Sequence, residues 1–271
     1  MENNNTTIKN VTMELEHSYV AQIEASKSRH REMDTTAERY KAFMEARGAS
    51  IISCEDNLDI YNTKYAENHI DRLDRALSKT NLLPQMKGKN LVLVDYACGQ
   101  GLGSRHILDT LFLNDLMPAT IKLLLIEPSD VALKAAMEGH KKASHTRNIE
   151  VEIVYENIEL NEWSAATNLK GMIDKDSIML HTFCNILDLD ETVVSGAKLA
   201  EEILDLDFQL PMHILVSQSH TTRDSWRNLL VALPEQDRMR KTILNSYHWH
   251  EGAHCRVQND FGGFYTTIEK Q

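Results

Sequence analysis

Residues that interrupt secondary structure are scarce in this chain: five prolines and 11 glycines among 271 residues. Positive charge is also short. Lys and Arg number 29 against 40 Asp and Glu, for a formal net charge of −11. Phosphate backbones are bound by concentrated Lys and Arg, so free DNA or RNA is not an expected partner. No apolar run approaches the roughly 20 residues that span a bilayer. The start, MENNNTTIKN, lacks the basic-then-apolar pattern of a secretory leader. The expected address is the cytoplasm, with no membrane partner. Four cysteines, Cys54, Cys98, Cys184 and Cys255, form no CxxC pair and no Cys/His zinc spacing. Buried free thiols are expected. The run His248-Trp249-His250 with His254 has the residue types of a ligand set. Its mixed spacing near a chain end fits surface histidines better, and no metal is assigned.

What is present has a clear order. The first ten residues are Asn/Thr-rich, and Met13 to about Arg47 reads as one or two helices. The stretch EDNLDIYNTKYAENHIDRLDRALSK places Ile60, Ala66, Ile70, Leu73 and Leu77 on one stripe, which predicts an amphipathic helix. Apolar β-type runs then alternate with helical ones: NLVLVDYA, GSRHILDTLFLND, TIKLLLIEPS, SDVALKAAMEGHKKAS, IEVEIVYENI, DSIMLHTFC, DETVVSGAKLAEEILDL and MHILVSQSH. RDSWRNLLVAL and EQDRMRKTILNSY read as helical, and Gly262-Gly263 sits between two β-type runs as a hairpin signal. Alternating strands and helices mean βαβ units and a doubly wound α/β domain. The expected division is a helical extension or lid over 1–86 and an α/β domain over 87–271. In such domains ligands sit beyond the carboxyl ends of the strands, at the switch point.

Three of the few glycines crowd into VDYACGQGLGS, at Gly99, Gly101 and Gly103. Glycine tolerates positive φ and lets a ligand approach the backbone. A phosphate loop is excluded, because GxxxxGK[ST] is absent. A dinucleotide site is disfavoured, because Ser104 or His106 stands where GxGxxG needs its third glycine.

The run Asp95-Tyr96-Ala97-Cys98-Gly99-Gln100-Gly101-Leu102-Gly103 resembles the cofactor turn of class I S-adenosylmethionine-dependent methyltransferases. The resemblance covers roughly 90–270. It implies a doubly wound, mostly parallel seven-stranded sheet with a C-terminal antiparallel hairpin. It implies S-adenosylmethionine as cofactor, held by Asp95, Ala97, Gly99, Gly101 and Gly103, by Glu127 and Pro128 after the second strand, and by Glu156, Asn157 and Ile158 after the third. Two departures stand out: Ala97 replaces the usual first glycine, and Glu127 lies further from Asp95 than the ~20 residues typical of dinucleotide folds.

Tyr61, Tyr65 and His69 recur at i, i+4 and i+8 on the helix before the core. Either they pack that helix on the sheet, or they lid the site: Tyr65 toward the cofactor's positive sulfur, Tyr61 and His69 toward the methyl acceptor. The loop after the fourth strand offers Phe183 and Asn185 to the acceptor. His181 is the expected catalytic residue, since a histidine titrates near neutrality, and Cys184 is expected to be a buried thiol. The expected activity is methyl transfer to a small molecule. The alternative is a non-catalytic binding or regulatory module acting through its N-terminal helices, which also offer a route to homo-oligomers.

Overall fold

The computed structural model describes residues 19–33, 51–165, 168–187, 194–219, 225–233, 242–243 and 261–268. The histidine run at 248–254 and Cys255 lie outside these residues. In chain order the elements are α1 (Tyr19–Glu32), α2 (Glu55–Tyr61), a π turn (Asn62–Ala66), α3 (Glu67–Ser78), a 3-10 turn (Leu83–Met86), β1 (Asn90–Tyr96), α4 (Leu102–Leu113), β2 (Thr120–Ile126), α5 (Asp130–Arg147), β3 (Glu152–Glu156), α6 (Leu169–Met172), β4 (Ser177–Cys184), α7 (Gly196–Leu204), β5 (Met212–Ser219), α8 (Ser225–Ala232), β6 (Thr242–Ile243) and β7 (Phe261–Ile268).

The sheet order is β3-β2-β1-β4-β5-β7-β6. The first five positions are parallel, and β7 runs antiparallel to β5. Six strands run for five residues or more; the expected seventh is reduced to the two-residue pairing of Thr242–Ile243 with Tyr265 and Phe264. That pairing also corrects the helical expectation for EQDRMRKTILNSY at those two residues. The expected turn at Gly262-Gly263 is not one. Gly262 lies opposite Gln218 and Gly263 opposite Ser217, inside the β5–β7 ladder. A glycine pair carries no side-chain signal of its own, and here the ladder decides.

Continuous apolar runs make β1 and β4 buried on both faces, as a parallel sheet covered by helices requires. Alternation then sorts their residues. Val92, Val94, Tyr96, Met179 and Phe183 face one core with Trp163 and Ile203. Leu91, Leu93, Ile178 and Leu180 face the other, against α3, α4 and α5. Sequence order jumps between β1 and β4, so the crevice of the switch point opens above those two strands. Ser129 caps α5, accepting from the Ala132 N–H at 3.1 Å. Ser195 caps α7, which starts at Gly196, later than its apolar pattern predicts.

The helices before β1 dock on the same side. The predicted stripe is buried at Ile60, Ala66, Ile70, Leu73 and Leu77. The helix is not uniform, however. A π turn interrupts it where Asp59 and Asn62 meet α1: Arg29 grips the Asp59 carboxylate through two bonds of 2.7 Å, and Asn62 donates to the Ser26 hydroxyl at 2.9 Å. Such one-turn widenings recur at functional sites. Tyr19 and Ile23 of α1 pack on Ala66, Ile70 and Leu102.

Of the histidines in this fold, His140, His181 and His213 are buried and His69 is half-buried. Burial holds His69, His140 and His181 to about 3 and His213 to about 4. They are neutral when folded and gain a proton below about pH 6.5 when unfolded. A depressed folded pKa contributes stability above the unfolded value and loses it as pH falls toward the folded one. Urea denaturation should therefore show stability falling below about pH 6.5. Near pH 5, His181→Phe should reduce that slope by about one proton, or about 1.4 kcal/mol per pH unit. An unchanged slope contradicts the assignment of His181 as a neutral core group.

Candidate cofactor site

After β1 the backbone takes positive φ at alternate residues: 49° at Ala97, 54° at Gly99 and 72° at Gly101. The loop is pinned on both sides. The Cys98 N–H donates to the Ile126 carbonyl at 3.0 Å, extending the β1–β2 ladder, and the Gly101 N–H donates to Cys98 at 2.8 Å. The glycines have different reasons. A Cβ on Gly101 would stand 3.0 Å from Ala136 and 3.1 Å from the His140 ring. A Cβ on Gly103 would stand 2.9 Å from the Cys184 sulfur, so this glycine lets α4 approach β4. Gly99 meets nothing within 4 Å. Its backbone borders open space, which is the geometry of a shelf for a ligand.

Two carboxylates flank the shelf. Asp95, 1% exposed, accepts from the Ser104 N–H at 3.1 Å. Burial pushes its pKa up to about 6. Glu127 follows β2 and accepts at both oxygens, from Gly99 N–H at 2.9 Å and Ser129 N–H at 3.0 Å. Burial raises its pKa as well. Each carboxylate oxygen has a second lone pair, so Glu127 keeps acceptor capacity for a ligand.

Polar groups behind the loop hold it. The Ser104 hydroxyl lies 3.3 Å from the Gly101 carbonyl and 2.9 Å from His140 Nε2. Gln22 of α1 bonds Gln100 at 3.2 Å and receives a bond from Arg105. Arg147 pairs with the buried Asp109 one turn further along α4.

A pocket of about 50 Å³ lies above the loop, lined by Asp95, Ala97, Gly99, Gly103 and Cys184 below and by Tyr61, His69, Ile70 and Leu73 from the helices above. Tyr65 stacks on His69 with ring centres 6.0 Å apart and meets Tyr61 at 5.1 Å. Cys184 was expected to be buried; it is half-buried and borders the pocket, and desolvation and the Asp95 charge push its thiol up to about 12, which keeps it protonated.

Of the expected site residues, Asp95, Ala97, Gly99, Gly103, Tyr61 and His69 line this pocket, while Glu127 bonds the Gly99 amide beside it, Gly101 turns the loop and Tyr65 stacks on His69. The structure does not bring His181 and Phe183 to the pocket. Odd-numbered residues of β4 face away from Asp95 and Cys184. His181 is fully buried, 2.9 Å from the Tyr96 hydroxyl, and Phe183 stacks on Tyr96 at 4.3 Å. Both are core residues in this structure, which corrects their expected roles. Asn185 follows β4 with φ 61° and accepts from Arg72 at 3.2 Å. Pro128, Glu156, Asn157 and Ile158 stand at the ends of β2 and β3; the Asn157 amide donates to the Glu127 carbonyl at 3.0 Å, and the Glu156 carboxyl is raised by burial. Sequence reasoning missed Ser104, Ser129, Gln100 and Gln22. Ser129 carried a signal, as a helix cap. Gln22 carried none, since it acts across 78 residues of chain.

Among protein-family descriptions none matches the chain, and no curated protein matches it. It is similar in shape to solved structures. One is a precorrin-6y C5,15-methyltransferase from Geobacter metallireducens GS-15, 13% identical, TM-score 0.42, covering 81% of this chain and 94% of that one. Another is the O-methyltransferase TomG from Streptomyces achromogenes, 10% identical, TM-score 0.42, covering 88% and 100%. A third is a methyltransferase from Geobacter sulfurreducens, 15% identical, TM-score 0.41, covering 92% and 96%. Likeness at this level carries no argument about activity.

The loop geometry makes a graded prediction for urea denaturation. Ala97→Gly should stabilise by up to about 1 kcal/mol, because alanine is strained at φ > 0. Gly99→Ala should cost about 1–2 kcal/mol from strain alone. Gly101→Ala should cost more, because overlap with α5 is added to strain. Equal costs at Gly99 and Gly101 would contradict the distinct roles assigned to them.

Proposed function

We propose that the chain is an S-adenosylmethionine-dependent methyltransferase acting on a small molecule. One observation carries this reading: the Glu127 carboxylate bridges the Gly99 and Ser129 amides beside a backbone shelf that no side chain fills. A carboxylate at the end of β2 suits a vicinal diol, and open backbone at Gly99 suits close approach by the rest of a nucleoside. When bound, the cofactor supplies a methyl group activated by a positive sulfur.

The chain's own groups then have distinct tasks. Glu127 accepts from the ribose hydroxyls. Asp95 fixes the start of α4 through Ser104 and places negative charge beneath the pocket. Asn157, tied to the Glu127 carbonyl, and Glu156 and Ile158 border the adenine side, with Pro128 turning the chain away from it. Tyr61 and His69, braced by Tyr65, roof the pocket and exclude water. A roof of helices over the loop supports a small acceptor over a polymer. It also supports 1–86 as a lid on the cofactor domain of 87–271.

Calorimetric titration with S-adenosylhomocysteine tests the reading. The wild-type chain should bind it, and Glu127→Ala should weaken binding about tenfold or more, the scale of a lost charge-assisted hydrogen bond. Asp95→Ala should weaken it too, and binding to the wild type should fall as pH drops through about 6, where Asp95 gains a proton. No binding by the wild type overturns the proposal. Tight binding without methyl transfer to any acceptor in a broad screen returns the non-catalytic module.

A further inference from the structure

The two carboxylates orient the pocket. Glu127 ends β2 on one side of β1, so a ribose held there leaves the reacting end toward β4, on the other side. The pocket wall on that side runs past Gly103 to Cys184. Above it stands His69. Its ring is fixed by Tyr65, stacked at 6.0 Å and 20°, and by Tyr61, edge-on at 5.8 Å. Its ring nitrogens have no hydrogen-bond partner among the described residues. Burial and the Arg72 charge keep the ring neutral, so a lone pair is available. The other charged group on this pocket is Asp95, across it on β1. A rigidly held imidazole at a pocket wall, with its nitrogens unclaimed, is a group awaiting a donor.

We propose that His69 accepts the proton of a protic methyl acceptor, a hydroxyl or an amine N–H. This rests on the cofactor reading above. The acceptor heteroatom's lone pair forms the new bond to the methyl carbon. The carbon–sulfur bond breaks and its electron pair stays on sulfur. The heteroatom's hydrogen passes to an imidazole nitrogen of His69. One positive charge is in the pocket before and after, moved from sulfur to imidazolium, so no further charge is buried. The repulsion that opposes an imidazolium falls as the sulfur becomes neutral, so the ring's basicity rises as the methyl leaves. The role expected of His181 thus falls to a histidine on the lid.

Sinefungin tests the placement without any acceptor. An aminomethine replaces the methylsulfonium there, so an N–H donor stands where the methyl would. Affinities for sinefungin and S-adenosylhomocysteine are measured by calorimetry on the wild type, His69→Phe and His69→Asn. The phenyl ring keeps the stack on Tyr65, and the asparagine restores an acceptor. His69→Phe should lower the sinefungin-to-S-adenosylhomocysteine preference about tenfold, whatever it does to both affinities together, and His69→Asn should recover part of it. An unchanged preference in both variants overturns the role of His69 and leaves the cofactor reading intact. Failure of the wild type to bind S-adenosylhomocysteine overturns both. Should the variants not fold, 15N NMR of the wild-type imidazole decides: its nitrogen shifts should move with sinefungin and not with S-adenosylhomocysteine, and identical spectra overturn the proposal.

Discussion

The Glu127 carboxylate ties three parts of the chain together. It leaves the end of β2, takes the Gly99 amide of the loop after β1, and takes the Ser129 amide at the start of α5. Ser129 in turn caps α5 and donates to the Ile52 carbonyl, just before α2. A buried carboxylate is costly unless it is hydrogen-bonded, and here two backbone amides meet that cost. Those bonds set where the loop runs, and the loop sets where α4 begins. The shelf at Gly99 is therefore a product of the strand end beside it.

Asp95 plays the matching part on β1. Its bond to Ser104 fixes the first turn of α4, and Ser104 passes the constraint to His140 on α5. The loop is thus bracketed by two carboxylates on neighbouring strands. Behind it stand the Ser104–His140 bond and the buried Arg147–Asp109 pair. The helices before β1 are joined to this bracket rather than laid over it. Gln22 reaches Gln100 within the loop, and the Arg29–Asp59 pair and the Asn62–Ser26 bond hold α1 to the helix that carries Tyr61 and His69. The π turn lies where those contacts converge.

Much of this was legible in the sequence, for identifiable reasons. The parallel sheet followed from unbroken apolar runs such as LVLV, and the loop from glycines that are rare elsewhere. Ala97 was visible as a departure; the structure adds that it bears positive φ, the conformation for which glycine is favoured. Alternation along β4 is also readable in DSIMLHTFC. A strand that places Cys184 beside Gly103 must turn His181 and Phe183 to the opposite face. The Gly262-Gly263 turn failed because backbone pairing overrode a local signal. The polar support from Gln22 and His140 stayed hidden, since contacts across 78 and 36 residues have no local signature.

One bracketed loop at the switch point of the sheet carries the site. Hydrogen–deuterium exchange of the wild-type chain, with and without S-adenosylhomocysteine, addresses that most directly. Exchange should slow at the amides of 97–104 and at those of Glu127 and Ser129, while β7, beyond β4 and β5 from the loop, keeps its rate. Unchanged exchange in those two segments, or protection confined to other parts of the chain, would contradict it.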